Sequence, residues 1–408
     1  ASWTSGKTEK VIELMADGVY TLVETTAPNG FAVAESITFT IKDGKVVGAA
    51  DNRITMYDAY VGDVVISKKA ISGVDELEGA TLKVIKLEGN KETLIEKWIS
   101  LSTPKTISGL LDGKYRLVEE TAPYGYLVAE SIDFEIVNGV VVGHNNNTVT
   151  MFDKPTDITV SKKDITNSKE IAGAHLVVKD KDGNIVDAWT SEEGKSHAIV
   201  GKLKPGETYT LTEITAPDGY YVAETIEFTV NKDGKPQVVE MFDTPTKVTV
   251  SKKDITNSEE IAGAQLIVKD TDGNVIDQWT SEAGKSHEIN GKLVAGKTYT
   301  LTEITAPDGY YVAEVVEFTV NEDGKPQVVE MFDAPTKVTV SKKDITNGDE
   351  IEGAHLVITD SKGNLVDEWT SEAGKSHEIN GKLIAGETYT LTEITAPDGY
   401  LVAESIEF

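Results

Sequence analysis

Polar and apolar residues alternate along this chain in short runs, and the runs recur. In Val248-Thr249-Val250-Ser251-Lys252-Lys253 the apolar phase passes through Val248 and Val250. Alternation of period two marks a half-buried β-strand. Six such stretches lie between 247 and 332: KVTV (247–250), AQLIVKD (264–270), VIDQWT (275–280), YTLTEI (299–304), VVEFTV (315–320) and QVVEMF (327–332). They are rich in Thr, Val, Ile and aromatic residues, which suit a pleated surface. Asp272-Gly273-Asn274, Pro307-Asp308-Gly309 and Asp323-Gly324 supply turns between them. Six or seven strands in roughly 90 residues predict a small β-sandwich. One helical turn is expected near 281–287.

The same pattern returns along the whole chain of 408 residues. Ser161, Ser251 and Ser341 open equivalent runs at intervals of 90 residues, and Ser67 precedes Ser161 by 94. The phrase LTEITAPDGY stands at 211–220, 301–310 and 391–400, with looser copies at 22–31 and 117–126. One tryptophan recurs per repeat: Trp3, Trp98, Trp189, Trp279 and Trp369. A repeat of this length is too long for a solenoid and suits a string of separate small domains. The expected units are 1–60, lacking its start, then 61–154, 155–244, 245–334, and 335–408, lacking its last strands. The boundaries fall at short Thr/Pro joints near Pro155, Pro245 and Pro335. Joints this short predict stiff coupling rather than a flexible tether.

Strand phase separates the charged residues. Lys252 continues the apolar phase of Val248 and Val250, whereas Lys253 falls on the solvent phase. In 299–303 the apolar phase runs through Tyr299, Leu301 and Glu303. In 329–333 Glu330 marks the outer face, so Met331 and Asp333 point inward. Ile54, Met56 and Asp58 share a phase, as do Val149, Met151 and Asp153. Phe332 falls on the outer phase, where a neighbouring domain could cover it. A lysine, a glutamate and an aspartate are thus expected inside each small domain, although charged groups are seldom buried unpaired.

Two readings account for that set. One is a salt bridge with a spare carboxyl, a poor stabiliser compared with apolar packing. The other is a self-made crosslink. Desolvation favours the neutral, nucleophilic form of an amine, and two adjacent carboxyls hold a proton between them. A protonated Glu303 would polarise the Asp333 carboxyl and relay protons while Lys252 attacks. Loss of water leaves a neutral amide, and no cofactor is needed.

Composition narrows the partners. Acidic residues outnumber basic ones by 68 to 39, for a net charge of −29. Such a surface disfavours nucleic acid and anionic lipid. There is no cysteine, so disulfides cannot brace these domains. No apolar run approaches the ~18 residues of a membrane span. No initiator Met, signal peptide or anchor is visible, so Ala1 reads as a cut inside a longer protein.

Several elements together resemble a known family: the S-K-K-D start, E-I-A-G-A at 260–264, the W-T-S of mid-repeat and the E-x-x-A-P-D-G-Y turn. They are similar to the B-type repeats of Gram-positive collagen adhesins, whose relatives build pilin shafts and adhesin stalks. The resemblance covers essentially the whole chain, five times over. It implies an all-β fold, a tandem array of small prealbumin-like or inverse-immunoglobulin β-sandwich domains on the bacterial surface. Many members carry an intramolecular isopeptide bond from Lys to Asn or Asp, assisted by an acidic residue. By position, the crosslinking pairs are Lys68 with Asp153, Lys162 with Asp243, and Lys252 with Asp333. The assisting residues are Glu119, Glu213 and Glu303. Glu24 with Asp58 lacks a lysine, and Lys342 with Glu393 lacks an acceptor. The acceptor is Asp throughout, so the assisting glutamate matters more, because hydroxide is a poor leaving group.

The leading functional expectation is structural: a self-crosslinked, extracellular stalk or fibre segment, not a turnover enzyme, with no cofactor. Each amide would close a loop of about 80 residues and stabilise by roughly 4–5 kcal/mol. A second reading has the repeats recognise a host or partner protein, with 1–60 and 61–154 the better candidates because they diverge most. A third has the end fragments complement each other between molecules into fibres, Lys342 meeting Asp58 of another chain. Other signals were weaker. Asp270-x-Asp272-Gly273-Asn274 lacks the ligand spacing of a calcium loop and reads as a hairpin turn. His144, His175, His355 and the recurrent His197, His287 and His377 show no metal spacing and read as surface or turn residues. The recurrent Trp reads as core.

Overall fold

The computed structural model describes residues 1–408. It contains thirty-one strands and one short 3-10 turn at Asn145–Asn147. The sheets fall into successive groups along the chain. Between 245 and 334, one sheet has the order His287–Asn290, Lys247–Asp254, Gln327–Asp333. The facing sheet has the order Val275–Thr280, Gln265–Lys269, Thr298–Thr305, Val316–Thr319. The region 155–244 repeats this arrangement. The region 61–154 widens the second sheet to five strands. Its Thr81–Glu88 and Lys91–Ile99 strands form a long hairpin.

Each group encloses its own core, because the inward phase of each strand is almost wholly apolar while the outward phase is mostly polar. Val248, Val250, Leu266, Val268, Ile289, Tyr299, Leu301 and Met331 form one cluster. Their counterparts around Leu176 and Leu211, and around Leu82 and Leu117, form two more. A smaller cluster around Ile358, Ile379 and Tyr389 lies beyond 335. There the first sheet is reduced to Lys337–Val340 and His377–Asn380. Residues 1–60 contribute a three-stranded sheet, with Ile41 buried and Trp3 40% exposed. The core role expected of the recurrent tryptophan therefore does not extend to Trp3. Trp98, Trp189, Trp279 and Trp369 are half-buried and pack on the rims of the clusters.

The central topological fact is a parallel pairing. In each complete group the first and last strands lie side by side and run the same way. Val61–Ala70 pairs with Thr148–Asp153, Asp157–Asp164 with Gln237–Asp243, and Lys247–Asp254 with Gln327–Asp333. The register sets Lys252 opposite Met331 and Asp254 opposite Asp333. The first strand therefore runs four residues beyond the 247–250 stretch expected from alternation. The helical turn expected near 281–287 is absent. A tight turn bridged by Glu282 and Lys285 leads into the His287–Asn290 strand instead. Its Gly284 has φ of +67, a left-handed conformation that breaks a helix. Phe332 remains 39% exposed on the outer face rather than covered by a neighbour.

Candidate functional site

Each parallel strand pair carries a lysine and an aspartate on its inner face, two residues out of register. The facing sheet places a glutamate over them. Lys252 Nζ contacts Asp333 Oδ1 and lies 3.1 Å from Glu303 Oε1. Lys162 contacts Asp243, with Glu213 at 3.1 Å. Lys68 contacts Asp153, with Glu119 at 3.0 Å. The lysine side chains are 2% exposed and both carboxylates in each set are fully covered. The outward lysine of each run behaves differently. Lys253 reaches across the outer face to Glu330 at 2.6 Å, and Lys163 to Glu240 at 2.5 Å.

The electrostatics are those of two carboxyls competing for one cation. Burial pushes the Asp153 carboxyl up to about 7. Lys68 opposes that rise and Glu119 adds to it. The same balance pushes Asp243 up to about 7 and Asp333 up to about 6. Asp153 Oδ2, Asp243 Oδ2 and Asp333 Oδ2 have no hydrogen-bond partner, and Glu119 Oε1, Glu213 Oε1 and Glu303 Oε1 meet only the lysine Nζ, at ion-pair distance and without an aligned hydrogen bond. Buried acceptors without donors are costly and rare. A proton on the aspartate, whose pKa burial and the glutamate raise, would give its Oδ2 a donor role.

Backbone groups fix all three residues. Glu303 Oε2 accepts the Ala313 N–H at 2.6 Å, ten residues downstream across the A-P-D-G-Y turn. Ala129, Ala223 and Ala403 serve Glu119, Glu213 and Glu393 at the same distance. The Asp333 carbonyl accepts the Ile255 N–H at 3.0 Å, and its counterparts repeat this at Asp153 and Asp243. A second glutamate, which strand phase did not single out, holds the lysine. Glu260 Oε2 accepts the Lys252 N–H at 2.9 Å, and Glu260 Oε1 accepts the Ser251 hydroxyl. The Lys252 carbonyl accepts the Ile261 N–H. Glu76 and Glu170 do the same for Lys68 and Lys162. The E-I-A-G-A element carried this signal, but its glutamate lies in a loop where alternation does not apply.

The aspartate that closes Ser-Lys-Lys-Asp is a further buried acceptor. Asp254 receives the Thr256 N–H and hydroxyl and the Tyr310 hydroxyl at 2.8 Å. Burial opposes its ionisation, but these donors outweigh burial and hold it below the usual carboxylate range. The tyrosine of A-P-D-G-Y thus ties the turn to the end of the lysine strand. Residues 61–154 have Ala70 at this position.

In residues 1–60 and 335–408 the lysine–carboxylate set lacks a member. Lys342 lies 3.1 Å from Glu393 with no aspartate opposite, and its side chain is 18% exposed. Glu24 accepts the Ala34 N–H at 2.7 Å. Neither Glu24 nor the half-buried Asp58 makes an ion pair, and Asp58 lies outside any strand.

The recurrent histidines are not isolated. His287 stacks on Trp279 at a ring separation of 4.1 Å. It bonds Asp277 at 2.9 Å, and Lys292 donates to the other Asp277 oxygen at 2.8 Å. The same clasp joins Trp189, His197, Asp187 and Lys202, and again Trp369, His377, Asp367 and Lys382. It links the edge strands of the two sheets. The Asp270 turn is closed by its own backbone, with Oδ1 accepting the Asp272 and Asn274 N–H groups. No group of His and carboxylate side chains is arranged to hold a metal ion.

A family model described as a SpaA prealbumin-like fold domain matches residues 62–148, 156–245, 246–335 and 336–408. Among solved structures, the chain is similar to the Bacillus anthracis TIE protein at 16% identity. That match covers 90% of this chain and 78% of the other, with a TM-score of 0.37. It is also similar to the shaft pilin SpaA of Lactobacillus rhamnosus GG, at 15% identity over 44% of this chain and 98% of the other, TM-score 0.25. A streptococcal ancillary pilin matches at 16% identity over 67% of this chain and 99% of the other, TM-score 0.32. No curated protein sequence matches the chain.

Proposed function

The chain belongs to the SpaA prealbumin-like fold domain family, and on that footing we propose that it is a structural stalk or fibre segment of a Gram-positive surface protein. The proposed units are 61–154, 155–244 and 245–334, flanked by partial units 1–60 and 335–408. Each complete unit is stiffened by one Lys–Asp isopeptide bond: Lys68–Asp153, Lys162–Asp243 and Lys252–Asp333. The observation that carries this reading is the threefold burial of lysine, aspartate and glutamate with unsatisfied carboxyl oxygens.

The reaction is a redistribution of protons followed by condensation. In the resting set the lysine is an ammonium and the two carboxyls hold one proton. Transfer of an ammonium proton to aspartate gives a neutral amine facing a neutral carboxylic acid, with no change in the proton count. Nζ attacks Cγ of Asp333, and the new N–C bond forms as the carbonyl π electrons move to oxygen. The glutamate takes the proton from nitrogen and gives one to the departing hydroxyl, which leaves as water. An ammonium and a carboxylate have become an amide and water, and nothing is oxidised or reduced. The backbone bonds to Ala313, Ile255, Ile261 and Glu260 keep the reacting groups in place, which supplies much of the rate through proximity. The reaction runs once per unit.

Intact-mass measurement of the folded, purified chain tests this. Three complete sets predict a chain lighter by three waters than its sequence mass. A chain at its full sequence mass refutes the crosslink.

A further inference from the structure

We propose that Thr156, Thr246 and Thr336 are buried staples that dock each unit rigidly onto the next. The docking surfaces are the A-P-x-G-Y turn of one unit and a Gly-Lys-Leu loop of the following one. This coupling is separate from the lysine–aspartate chemistry and does not depend on it.

The connecting peptide has no free length. At the joint Thr244-Pro245-Thr246, the Thr244 carbonyl accepts the Tyr221 N–H at 3.0 Å. The Thr246 N–H donates to the Gly219 carbonyl of the preceding turn at 2.8 Å. The Thr246 carbonyl accepts the Gly291 N–H at 2.8 Å. The Thr246 hydroxyl, fully buried, reaches the Leu293 carbonyl at 2.6 Å and the Gly219 carbonyl at 3.2 Å. One threonine therefore joins the turn before it to the loop after it. The same bonds recur at Thr156, between Gly125 and Gly201, and at Thr336, between Gly309 and Gly381.

The two glycines of each joint meet directly. A Cβ on Gly219 would lie 2.3 Å from the Gly291 carbonyl oxygen; at Gly125 and Gly309 the corresponding approaches are as tight. These turn glycines also have positive φ, a sufficient reason for glycine on its own. Gly399 separates the two reasons. It occupies the same turn at φ +89, yet nothing lies within 4 Å of its Cβ direction. The crowding at Gly219 therefore comes from the next unit and not from the turn. At the first joint Val61 replaces the threonine; its N–H still bonds the Gly30 carbonyl, but Gly30 touches no facing glycine.

The absence of native cysteine allows a clean test by pulsed dipolar spectroscopy on the full chain. Nitroxides at Asp182→Cys and Asp272→Cys sit on equivalent exposed turns on either side of the Thr246 joint. The expected result is one narrow distance peak. Gly219→Ala should lose that peak to a broad distribution. Thr246→Val removes the hydroxyl bonds while keeping the side-chain shape and should broaden the peak as well, which covers the case of a misfolded Gly219→Ala chain. A broad distribution in the parent chain overturns the proposal. So does a narrow peak retained in both joint variants. The crosslink is read separately by mass, so its failure would not be mistaken for failure of the joint.

Discussion

Glu303→Gln isolates the proton relay from the architecture that holds it. Glutamine keeps an oxygen to accept the Ala313 N–H and nearly the same volume. It cannot exchange a proton with Asp333 or the lysine. The 245–334 unit should therefore fold and remain un-crosslinked. The lysine and aspartate are 81 residues apart. The chain-entropy relation gives about 4.5 kcal/mol for closing a loop of that size. For a domain of this length, 1 kcal/mol shifts the melting temperature by roughly 4–8 °C, so the loss corresponds to roughly 20–35 °C. Two measurements on the full chain read this out. Intact mass should show two waters lost instead of three. Calorimetry should show a new transition in that lower range, while the remaining units keep theirs. If Glu303→Gln still loses three waters, the glutamate has no part in the chemistry. If the mass changes as expected but no lower transition appears, the amide does not constrain the unfolded chain as argued.

Glu260→Ala removes the acceptor for the Lys252 N–H and the Ser251 hydroxyl. It should slow bond formation in that unit and cost about 1.5–3 kcal/mol per lost charged hydrogen bond; a mass deficit arriving at the parent rate refutes a positioning role. Freshly made chain from cell-free synthesis should form its bonds more slowly as pH rises, because the carboxyls of raised pKa are protonated below it and lose that proton above it. The decline should begin near pH 6 for the 245–334 unit and near pH 7 for the other two; rates that climb through pH 8 in every unit would falsify the protonated-acceptor step. The clasps give the opposite sign. Burial opposes ionisation of Asp277, yet His287 and Lys292 hold it below the usual range, as their counterparts hold Asp187 and Asp367. Their stabilisation is thus present above about pH 4 and lost as pH falls through the lowered pKa. Urea midpoints of the triple Asp187→Asn, Asp277→Asn, Asp367→Asn chain should show a weaker acid limb than the parent, and an identical limb would remove the clasp from the account.

The strands and the inward set of Lys252, Glu303 and Asp333 were legible because a strand has a period of two. That period assigns a face to every residue without knowledge of the partner strand. Features that depend on two segments meeting were not legible. Glu260 acts from a loop through backbone groups, so it shows no phase. Trp279 and His287 lie on different sheets, and only the sandwich brings their rings together. Gly219 looked like a turn residue alone, because a positive φ already accounts for it; the Gly291 carbonyl against it appears only when the next unit is in place. The expected helical turn failed for a related reason. Residues 281–287 carry no periodicity of either kind, and Gly284 in a left-handed conformation turns the chain back into a strand.

The parallel pairing of the first and last strands decides how such an array carries load. Tension enters a unit at Lys247 and leaves at Asp333, at opposite ends of two adjacent strands running the same way. The ladder between them is therefore pulled in shear, and its hydrogen bonds resist together. On the proposed reading the amide joins Lys252, near the end of the first strand, to Asp333, the last residue of the other. Force then follows residues 247–252, crosses the side-chain amide, and leaves through Ala334-Pro335-Thr336. Residues 253–332, which hold most of the core, lie outside the path and cannot be drawn out by pulling on the ends. The staple at Thr336 takes up the chain immediately beyond Asp333, fixing it to both the preceding turn and the following loop. A bond at the exit of one unit and a staple at the entry of the next leave only Ala334 and Pro335 between them. This placement explains why the acceptor is the final inward residue of its strand. Moved to Val329, four residues earlier and on the same face, it would leave the end of the last strand loaded and free to peel.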